Sequence, residues 1–423
     1  MIAPSVALGR SENRVDAVLV THFGEFGGIA QEWIDFLQDK AGFFVVVQHP
    51  LASSGISSAS LYVSRVHVRD FVLASHSLPF GLHWLKDLLF TLAVLTRLSL
   101  VKGRFELFIG IDCLNALAGI LLRRLHLVRH VVFYAIDYAP VRFPVPVMNM
   151  LYQLAFGYAA AHADLVWNGS SRIAAICKNY GGRPQRSLIV PSGHRASVNT
   201  GRQASDTNPR VVYVGTLDVW TGVELIIESF RLVVDKIPNA KLYMVGTGDL
   251  YQQLTTRVNS IGLSRSVVFT GVLSNSETLK LIATCRVGLA PYKPGKTWIT
   301  VFADVGMKIT EYLASGLAVI TTRVPRISKE IESAPAGKVI DYDETELAEA
   351  IIELLSDDEL YLRCRANAMR MMADFHWDSI LRRTWDATRQ ILELSNGAKR
   401  IKLPDLAPDA QSGPDVPLRR YSR

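Results

Sequence analysis

Lys308 and Glu311 are the residues whose types and spacing most clearly suggest chemistry in this chain of 423 residues. Because they stand three residues apart in a segment with a helical pattern, we expect both on one face of a helix. Ser315-Gly316 ends that helix, and the apolar run from Leu317 to Ile320 predicts a buried parallel strand. A lysine can bind a diphosphate, and a carboxylate can accept hydrogen bonds from ribose hydroxyls. The pair therefore predicts a site for a nucleotide-activated molecule.

The helix and strand around this pair belong to a chain long enough for two large domains. Its net charge of +7 favours an anionic partner, either phosphate-bearing or a membrane surface. No dense basic and aromatic stripe is present, so we do not expect nucleic acid as a partner. The four cysteines form no CxxC pattern and predict buried small residues in a reducing cytosol, so we expect a cytoplasmic protein. The apolar segment from Leu85 to Val101 contains charged residues and predicts a buried or interfacial helix.

Strand, glycine loop, helix and strand follow one another from Val15, which predicts an α/β fold with a doubly wound domain over residues 1–200. A polar segment, Ala196 to Pro209, then predicts a linker. The same order of elements restarts at Val211 and predicts a second domain of this kind over residues 208–375. The tail 396–423 lacks periodicity and is predicted to be disordered.

Several candidate ligand contacts follow the predicted strands of the second domain. Ligands of open α/β sheets bind beyond the carboxyl ends of the strands, and glycines there let the backbone approach a phosphate. Each of these turns is also compatible with an ordinary βα connection. The candidates for donor binding are Gly215, Thr216, Gly246 and Tyr292, of which Tyr292 has a ring that can stack on a base.

In the first half of the chain, Asp137 ends an apolar strand and is expected to face a cleft between the two predicted domains. There it can accept a proton from an incoming hydroxyl, although a helix cap or a turn is an alternative role. Asp112 ends the preceding strand, where an N-cap explains it better than catalysis. His22 ends the first strand, and a substrate contact and an ordinary position are equally compatible with it.

We expect no metal site in this chain. Asp341-Tyr-Asp343 has the spacing of a DxD metal motif, but it precedes a predicted helix that acidic residues cap naturally. The histidines show no metal-ligand spacing on one helix. We also expect no cofactor other than a donor substrate.

The chain resembles the GT-B glycosyltransferases over nearly everything from Val15 to Leu394. This likeness implies two Rossmann-like domains, with a final helix over residues 376–395 that packs back on the first domain. It also implies a nucleoside diphosphate sugar as donor. The segments that carry it are Val211 to Asp218, Leu242 to Gly248, Val268 to Gly271, Ala290 to Tyr292, Met307 to Gly316 and Phe375 to Trp377, with Leu107 to Asp112, Val132 to Asp137 and Ala163 to Val166 in the first half.

Within that fold, the second domain resembles the retaining glycosyltransferase family 1/4 group but departs from it at three positions. Thr216 and Thr221 stand where that group usually has an arginine and a lysine. Ala303, with Asp304 beside it, stands where the group has a glutamate. These departures favour inverting chemistry, and Asp304 is predicted to contact the donor.

The catalytic motifs are similar to those of the inverting β-glucuronosyltransferase of xanthan assembly. This resemblance implies that Asp137 is the catalytic base. It also implies nucleotide contacts from Tyr292, Met307 and Lys308. The identity of the sugar is not implied.

We therefore expect a metal-independent, inverting transfer of a sugar to a hydroxyl of a glycan or lipid-linked acceptor, in polysaccharide or glycolipid biosynthesis. The segment Arg142 to Met148 and the apolar stretch from Leu85 to Val101 suit an acceptor at the cytosolic face of a membrane, with peripheral association. Two alternatives stay open: a nucleotide-sugar 2-epimerase, and a non-catalytic protein that binds a nucleotide sugar as a scaffold.

Overall fold

The computed structural model describes residues 15–23, 28–50, 58–63, 66–72, 82–143, 145–195, 209–295 and 307–394. These residues form two sheets, one in each half of the chain, with helices packed against them. The predicted tail lies outside the described residues, and so does the predicted linker except for Pro209. The prediction of two doubly wound α/β units is confirmed.

The first sheet has eight strands in the order β4-β3-β2-β1-β5-β6-β7-β8. All neighbours are parallel except β3, which pairs antiparallel with both β2 and β4. The hairpin of β3 and β4 was not predicted. The strands are β1 (Val15–Phe23), β2 (Ala41–Pro50), β3 (Ser58–Val63), β4 (Val66–Val72), β5 (Phe105–Ile111), β6 (Val128–Ala135), β7 (Leu165–Asn168) and β8 (Ser187–Ile189).

The second sheet has six parallel strands in the order β11-β10-β9-β12-β13-β14. Every residue of its central strands β12 and β13 is buried, as expected for an apolar strand covered on both faces. The strands are β9 (Arg210–Val214), β10 (Lys241–Val245), β11 (Val267–Gly271), β12 (Val287–Ala290), β13 (Ala318–Thr322) and β14 (Gly337–Ile340).

Thirteen α-helices lie within the described residues. Those of the first half are α1 (Ile29–Lys40), α2 (Leu82–Lys102), α3 (Cys113–Arg124), α4 (Pro146–His162) and α5 (Ser171–Asn179). Those of the second half are α6 (Val223–Lys236), α7 (Tyr251–Ser260), α8 (Asn275–Ile282), α9 (Met307–Ala314), α10 (Ser328–Ser333), α11 (Glu344–Ser356), α12 (Asp358–Met372) and α13 (Trp377–Leu394).

The apolar segment from Leu85 to Val101 forms most of α2, as predicted for a buried or interfacial helix. Leu95 and the uncharged Thr91 are buried, whereas Leu100 and Val101 are 79% exposed. In the described part of the chain, no helix has both the length and the apolar character needed to cross a membrane.

The last helix, α13, packs on the first sheet although it follows the second in the chain. Trp377, Leu381 and Trp385 join the core that contains Trp33 and Trp167. The indole nitrogen of Trp167 donates to the hydroxyl of Thr388 at 3.0 Å. This crossover helix confirms the prediction that the chain returns to its first half.

Candidate active site

The carboxyl edge of the second sheet carries most of the predicted donor contacts. Gly215 follows β9, Gly246 follows β10, and Tyr292 stands two residues after β12. Lys308 and Glu311 lie on α9, which precedes β13. Because parallel strands end at the same edge of a sheet, the structure brings these residues together.

Helix α9 is held against this edge by Tyr312, which is fully buried. The backbone N–H of Val214 donates to the Tyr312 hydroxyl at 2.6 Å. A Cβ atom on Gly288 of β12 would lie 2.4 Å from the Tyr312 ring, so a residue without a side chain is required there. The packing of this one tyrosine therefore sets the position of Lys308 and Glu311.

Gly215 and Gly246 bring two strand ends into close contact. Their φ angles are +140° and +128°, in the region that favours glycine. A Cβ on Gly246 would lie 2.1 Å from the carbonyl oxygen of Gly215, and a Cβ on Gly215 would lie 2.7 Å from the Nζ atom of Lys308. Gly246 therefore lets the two strand ends approach each other, and Gly215 leaves room for the lysine ammonium beside them.

Lys308 lies between two tyrosine rings. Its Nζ atom donates to the hydroxyl of Tyr213 at 3.0 Å and lies 4.1 Å and 5.3 Å from the ring centroids of Tyr213 and Tyr292. Burial lowers the pKa of Lys308 to about 7, and no carboxylate among the described residues offsets that effect. An anionic ligand would provide the charge partner that this ammonium group lacks.

Glu311 is the counterpart of Lys308 on the same helix. Burial raises the pKa of its carboxyl to about 7, and no basic side chain in the described parts of the chain counteracts that effect. A half-buried carboxylate without a cation suits hydroxyl donors such as those of a ribose. Met307 precedes the pair and is 43% exposed.

Tyr292 is only 6% exposed and its ring lies beside Lys308. Stacking of Tyr292 on a base stays a prediction, and the structure gives the residue a second role in holding the lysine. Thr216 lies in the turn after Gly215, where its carbonyl oxygen accepts from the hydroxyls of Tyr213 at 2.7 Å and Thr221 at 3.0 Å. The two threonines thus lie in a turn that their own hydrogen bonds close. Asp304, the remaining predicted donor contact, lies outside the described residues.

In the first half of the chain, Asp137 stands two residues after β6, at the carboxyl edge of that sheet. One of its oxygens lies 2.9 Å from Nη1 of Arg142, and about one third of the side chain is exposed. The structure therefore presents Asp137 as an accessible carboxylate with one charged partner.

His22 and Asp112 end the neighbouring strands β1 and β5 and form an ion pair. Nδ1 of His22 lies 3.0 Å from Oδ2 of Asp112, and Nε2 lies 3.4 Å from Asp87 on α2. Burial by itself lowers the pKa of His22, but Asp112 and Asp87 together raise it to about 9. The other Asp112 oxygen accepts from the backbone N–H groups of Leu114 and Asn115, which is the predicted N-cap.

Sequence reasoning missed two members of this cluster, Asp87 and His49. His49 ends β2, is fully buried, and lies with Nδ1 3.6 Å from Asp87 and with Nε2 2.7 Å from the hydroxyl of Thr91. Burial, and next the charge of His22, lower the pKa of His49 to about 4. The only signal for Asp87 was an acidic residue on a largely apolar helix, and the sequence does not show what that residue faces.

The prediction that the DxD-like segment caps the following helix is confirmed at Asp343. Its side chain accepts from the backbone N–H groups of Thr345 and Glu346 and caps α11. Among the described residues, no group of three or more His, Cys, Asp and Glu side chains is arranged to hold a metal ion.

The half of the chain that contains the six-stranded sheet matches a family model. Residues 208–357 match the family model described as "Glycosyl transferases group 1". The match covers most of the second half of the chain, and Lys308 and Glu311 both lie within the matched residues.

Curated relatives match part of the chain. Alpha-D-kanosaminyltransferase from Streptomyces kanamyceticus is 26% identical over 173 residues, which are 41% of this chain and 43% of that protein. Poly(glycerol-phosphate) alpha-glucosyltransferase from Bacillus subtilis is 24% identical over 174 residues, or 40% of this chain and 24% of that protein. The chain thus spans less than half the length of these curated relatives.

Solved structures match both halves of the chain. The structure of Anabaena Alr3699/HepE in complex with UDP has a TM-score of 0.66 and 17% identity, and the match covers 89% of this chain and 100% of that one. The structure of WaaG, a glycosyltransferase involved in lipopolysaccharide biosynthesis, has a TM-score of 0.63 and 16% identity, covering 88% and 98%. These likenesses show that the fold is GT-B.

Proposed function

We propose that this chain is a glycosyltransferase that transfers a sugar from a nucleoside diphosphate sugar to a hydroxyl of a glycan or lipid-linked acceptor. The observation that carries the proposal is the ammonium of Lys308, which lies at the strand ends of the second domain against Tyr213 and faces no carboxylate among the described residues. A buried ammonium without a carboxylate is costly unless a ligand supplies the opposite charge. The solved structure with UDP bound supports a uridine nucleotide as the first donor to test.

In this mechanism the second domain binds the donor. Lys308 contacts the diphosphate, and Glu311 accepts hydrogen bonds from the ribose. As the bond from the anomeric carbon to the β-phosphate oxygen breaks, the electron pair stays on that oxygen, and the lysine offsets its charge. The diphosphate also raises the pKa of Lys308 from about 7, so the lysine is charged when the bond breaks.

The first domain supplies the base, for which we compare Asp137 and His22 among the described residues of the cleft edge. His22 has carboxylates facing both ring nitrogens, and with a pKa near 9 it is already protonated at neutral pH. Asp137 has one partner and an exposed face. We therefore assign Asp137 as the group that takes the proton of the acceptor hydroxyl while the hydroxyl oxygen forms the new bond to the anomeric carbon.

We further propose that the transfer inverts the anomeric configuration and needs no metal ion. The turn after β9 presents Thr216 and Thr221, whose contacts close the turn, rather than the two cations of the retaining group. With an α-linked donor, inversion gives a β-linked product. The names of two curated relatives specify alpha transfer. A β-linked product would therefore distinguish the proposed inversion from the chemistry that those names indicate.

The experiment is a donor screen with mass-spectrometric and NMR analysis of the products. We expect release of nucleoside diphosphate only when an extract that contains glycan or lipid-linked acceptors is present. We also expect a β-linked product from an α-linked donor. Release or isomerisation with the donor alone would support the 2-epimerase alternative. Binding without turnover over a broad acceptor panel would support a scaffold, and an α-linked product would overturn inversion.

A further inference from the structure

The first domain carries a stripe of exposed apolar side chains along α4. Its members are 51–62% exposed, and their spacing of three and four residues places them on one face of the helix. We name this set the α4 stripe. It consists of Val147, Met150, Leu151 and Leu154.

The opposite face of α4 is also apolar and packs in the core of the first domain. Tyr152, Phe156 and Ala159 are each at most 3% exposed. From Pro146 to His162 the helix contains no Asp, Glu, Lys or Arg. A surface helix usually shows polar residues to water, so a helix that is apolar on its exposed face marks an interaction surface.

The apolar surface continues beyond the stripe. Val141 and Val145, in the segment before α4, are 68% and 47% exposed. Phe143 lies between them in the chain, and its ring centroid is 4.7 Å from that of Trp84 at the start of α2. Leu85 follows Trp84 and is 49% exposed, so the apolar surface includes residues of two elements.

Cations lie near both ends of the α4 stripe. The guanidinium of Arg124 lies 5.5 Å from the ring centroid of Tyr158, near the end of α4. Arg142 precedes the start of α4 and lies 5.3 Å from the ring centroid of Tyr152. Three of the four arginines from Cys113 to His162 pair with acidic side chains, whereas Arg124 has no such partner among the described residues.

We propose that the α4 stripe docks on the surface of an anionic lipid bilayer. Apolar side chains between cations suit a surface of acyl chains and anionic headgroups. A second copy of this chain fits less well, because α4 has no acidic side chain to meet Arg124 of the other copy in a symmetric contact. Since Asp137 lies nine residues before α4, docking would hold the cleft edge of the first domain close to the lipid headgroups.

Co-sedimentation with vesicles tests this surface without any donor or acceptor, so its outcome is separate from that of glycosyl transfer. The vesicles contain phosphatidylcholine alone or mixed with phosphatidylglycerol. We expect the full chain to bind the mixed vesicles, and the double variant Met150→Gln with Leu154→Gln to bind about tenfold more weakly or less, since two apolar side chains are lost. The matched control is Leu362→Gln, at an exposed leucine of α12 in the other domain, which should bind as the wild type does.

Two further variants keep the test sharp. Arg124→Gln should weaken binding to the mixed vesicles only, because it removes charge and leaves the stripe intact. If the double variant melts at a lower temperature than the wild type, the single variant Leu151→Gln replaces it in the vesicle assay. Absence of wild-type binding, or equal binding by the stripe variants, would overturn the proposal. So would a wild-type dimer that the stripe variants convert to a monomer, because that result assigns the surface to a second copy.

Discussion

The Nδ1 atom of His22 lies 3.0 Å from Oδ2 of Asp112, where two adjacent parallel strands end. The other ring nitrogen faces Asp87, and His49 lies behind that carboxylate. The backbone of Asp112 has a φ of 79°, in a region that costs a non-glycine residue about 1–3 kcal/mol. Both strand ends are therefore fixed by ion pairs and caps, and Asp137 is the described carboxylate of this edge that neither caps a helix nor pairs with a histidine.

The first prediction concerns the stability that the His22 ion pairs provide. The pKa of His22 in the folded chain is about 9, above its ordinary value of 6.5. The stabilisation is therefore complete below pH 6.5 and is lost as pH rises through 9. We expect His22→Asn to cost about 2 kcal/mol of unfolding free energy near pH 6, and much less near pH 10.

Denaturant unfolding at several pH values measures this difference. His162→Asn is the matched control, because the His162 ring is exposed at the end of α4. If the difference in unfolding free energy between wild type and His22→Asn stays constant from pH 6 to 10, the ion pairs of His22 do not contribute the predicted stability.

The second prediction is that Lys308→Met stabilises the chain and weakens its affinity for the donor. The variant removes an ammonium that faces no carboxylate among the described residues, so we expect the melting temperature to rise by about 3 °C near pH 6. Affinity for UDP-glucose should fall about tenfold to a hundredfold, because a charge-assisted bond to the diphosphate is lost. Calorimetry and titration check both effects, and a variant that binds like the wild type contradicts the diphosphate role.

The third prediction is that donor affinity is greatest near pH 7. Lys308 has a pKa of about 7 and loses its charge above that pH, so affinity should fall by at most about tenfold per pH unit there. Glu311 also has a pKa of about 7, and below it the protonated carboxyl accepts ribose hydrogen bonds poorly. Lys308→Met should remove the alkaline decrease and Glu311→Gln the acidic one; a flat profile in the wild type would count against both assignments.

The fourth prediction separates steric contact from backbone strain at the glycine turns. Gly215→Ala places a Cβ 2.7 Å from Nζ of Lys308, whereas Gly262→Ala places one in open space at a φ of +75°. Gly262→Ala should lose about 1 kcal/mol of stability from backbone strain, and Gly215→Ala at least as much, because its φ is +140°. Only Gly215→Ala should also weaken UDP-glucose binding, and equal binding by the two variants would contradict the close approach of Lys308.

The sequence predicted those parts of the site in which one residue's chemistry and its place at a strand end were enough. Asp137 was predicted from an apolar run that ends in a charged residue, and Lys308 and Glu311 from their spacing in a helical segment. The crossover helix was predicted from the resemblance to the GT-B glycosyltransferases. The strands and helices of the second half are local patterns that tertiary packing did not override.

What the sequence did not show depends on contacts between distant segments. His22 meets Asp87 and Asp112 across 65 and 90 positions, and neither spacing has a local signature. The β3 and β4 hairpin lies in a segment with many serines, where alternation is weak. The exposure of the α4 stripe was equally hidden, because an apolar helix in a sequence reads the same whether one face or both are covered.

The most direct measurement of the central claim is the transfer rate of Asp137→Asn under single-turnover conditions, together with its affinity for the donor. Our account predicts that the affinity is unchanged and that the rate falls by about a hundredfold to ten-thousandfold, the usual contribution of a general base. Arg142→Gln, which keeps the carboxylate, should retain far more of the rate. Wild-type transfer by Asp137→Asn would contradict the assignment of the base and, with it, the division of the active site between the two domains.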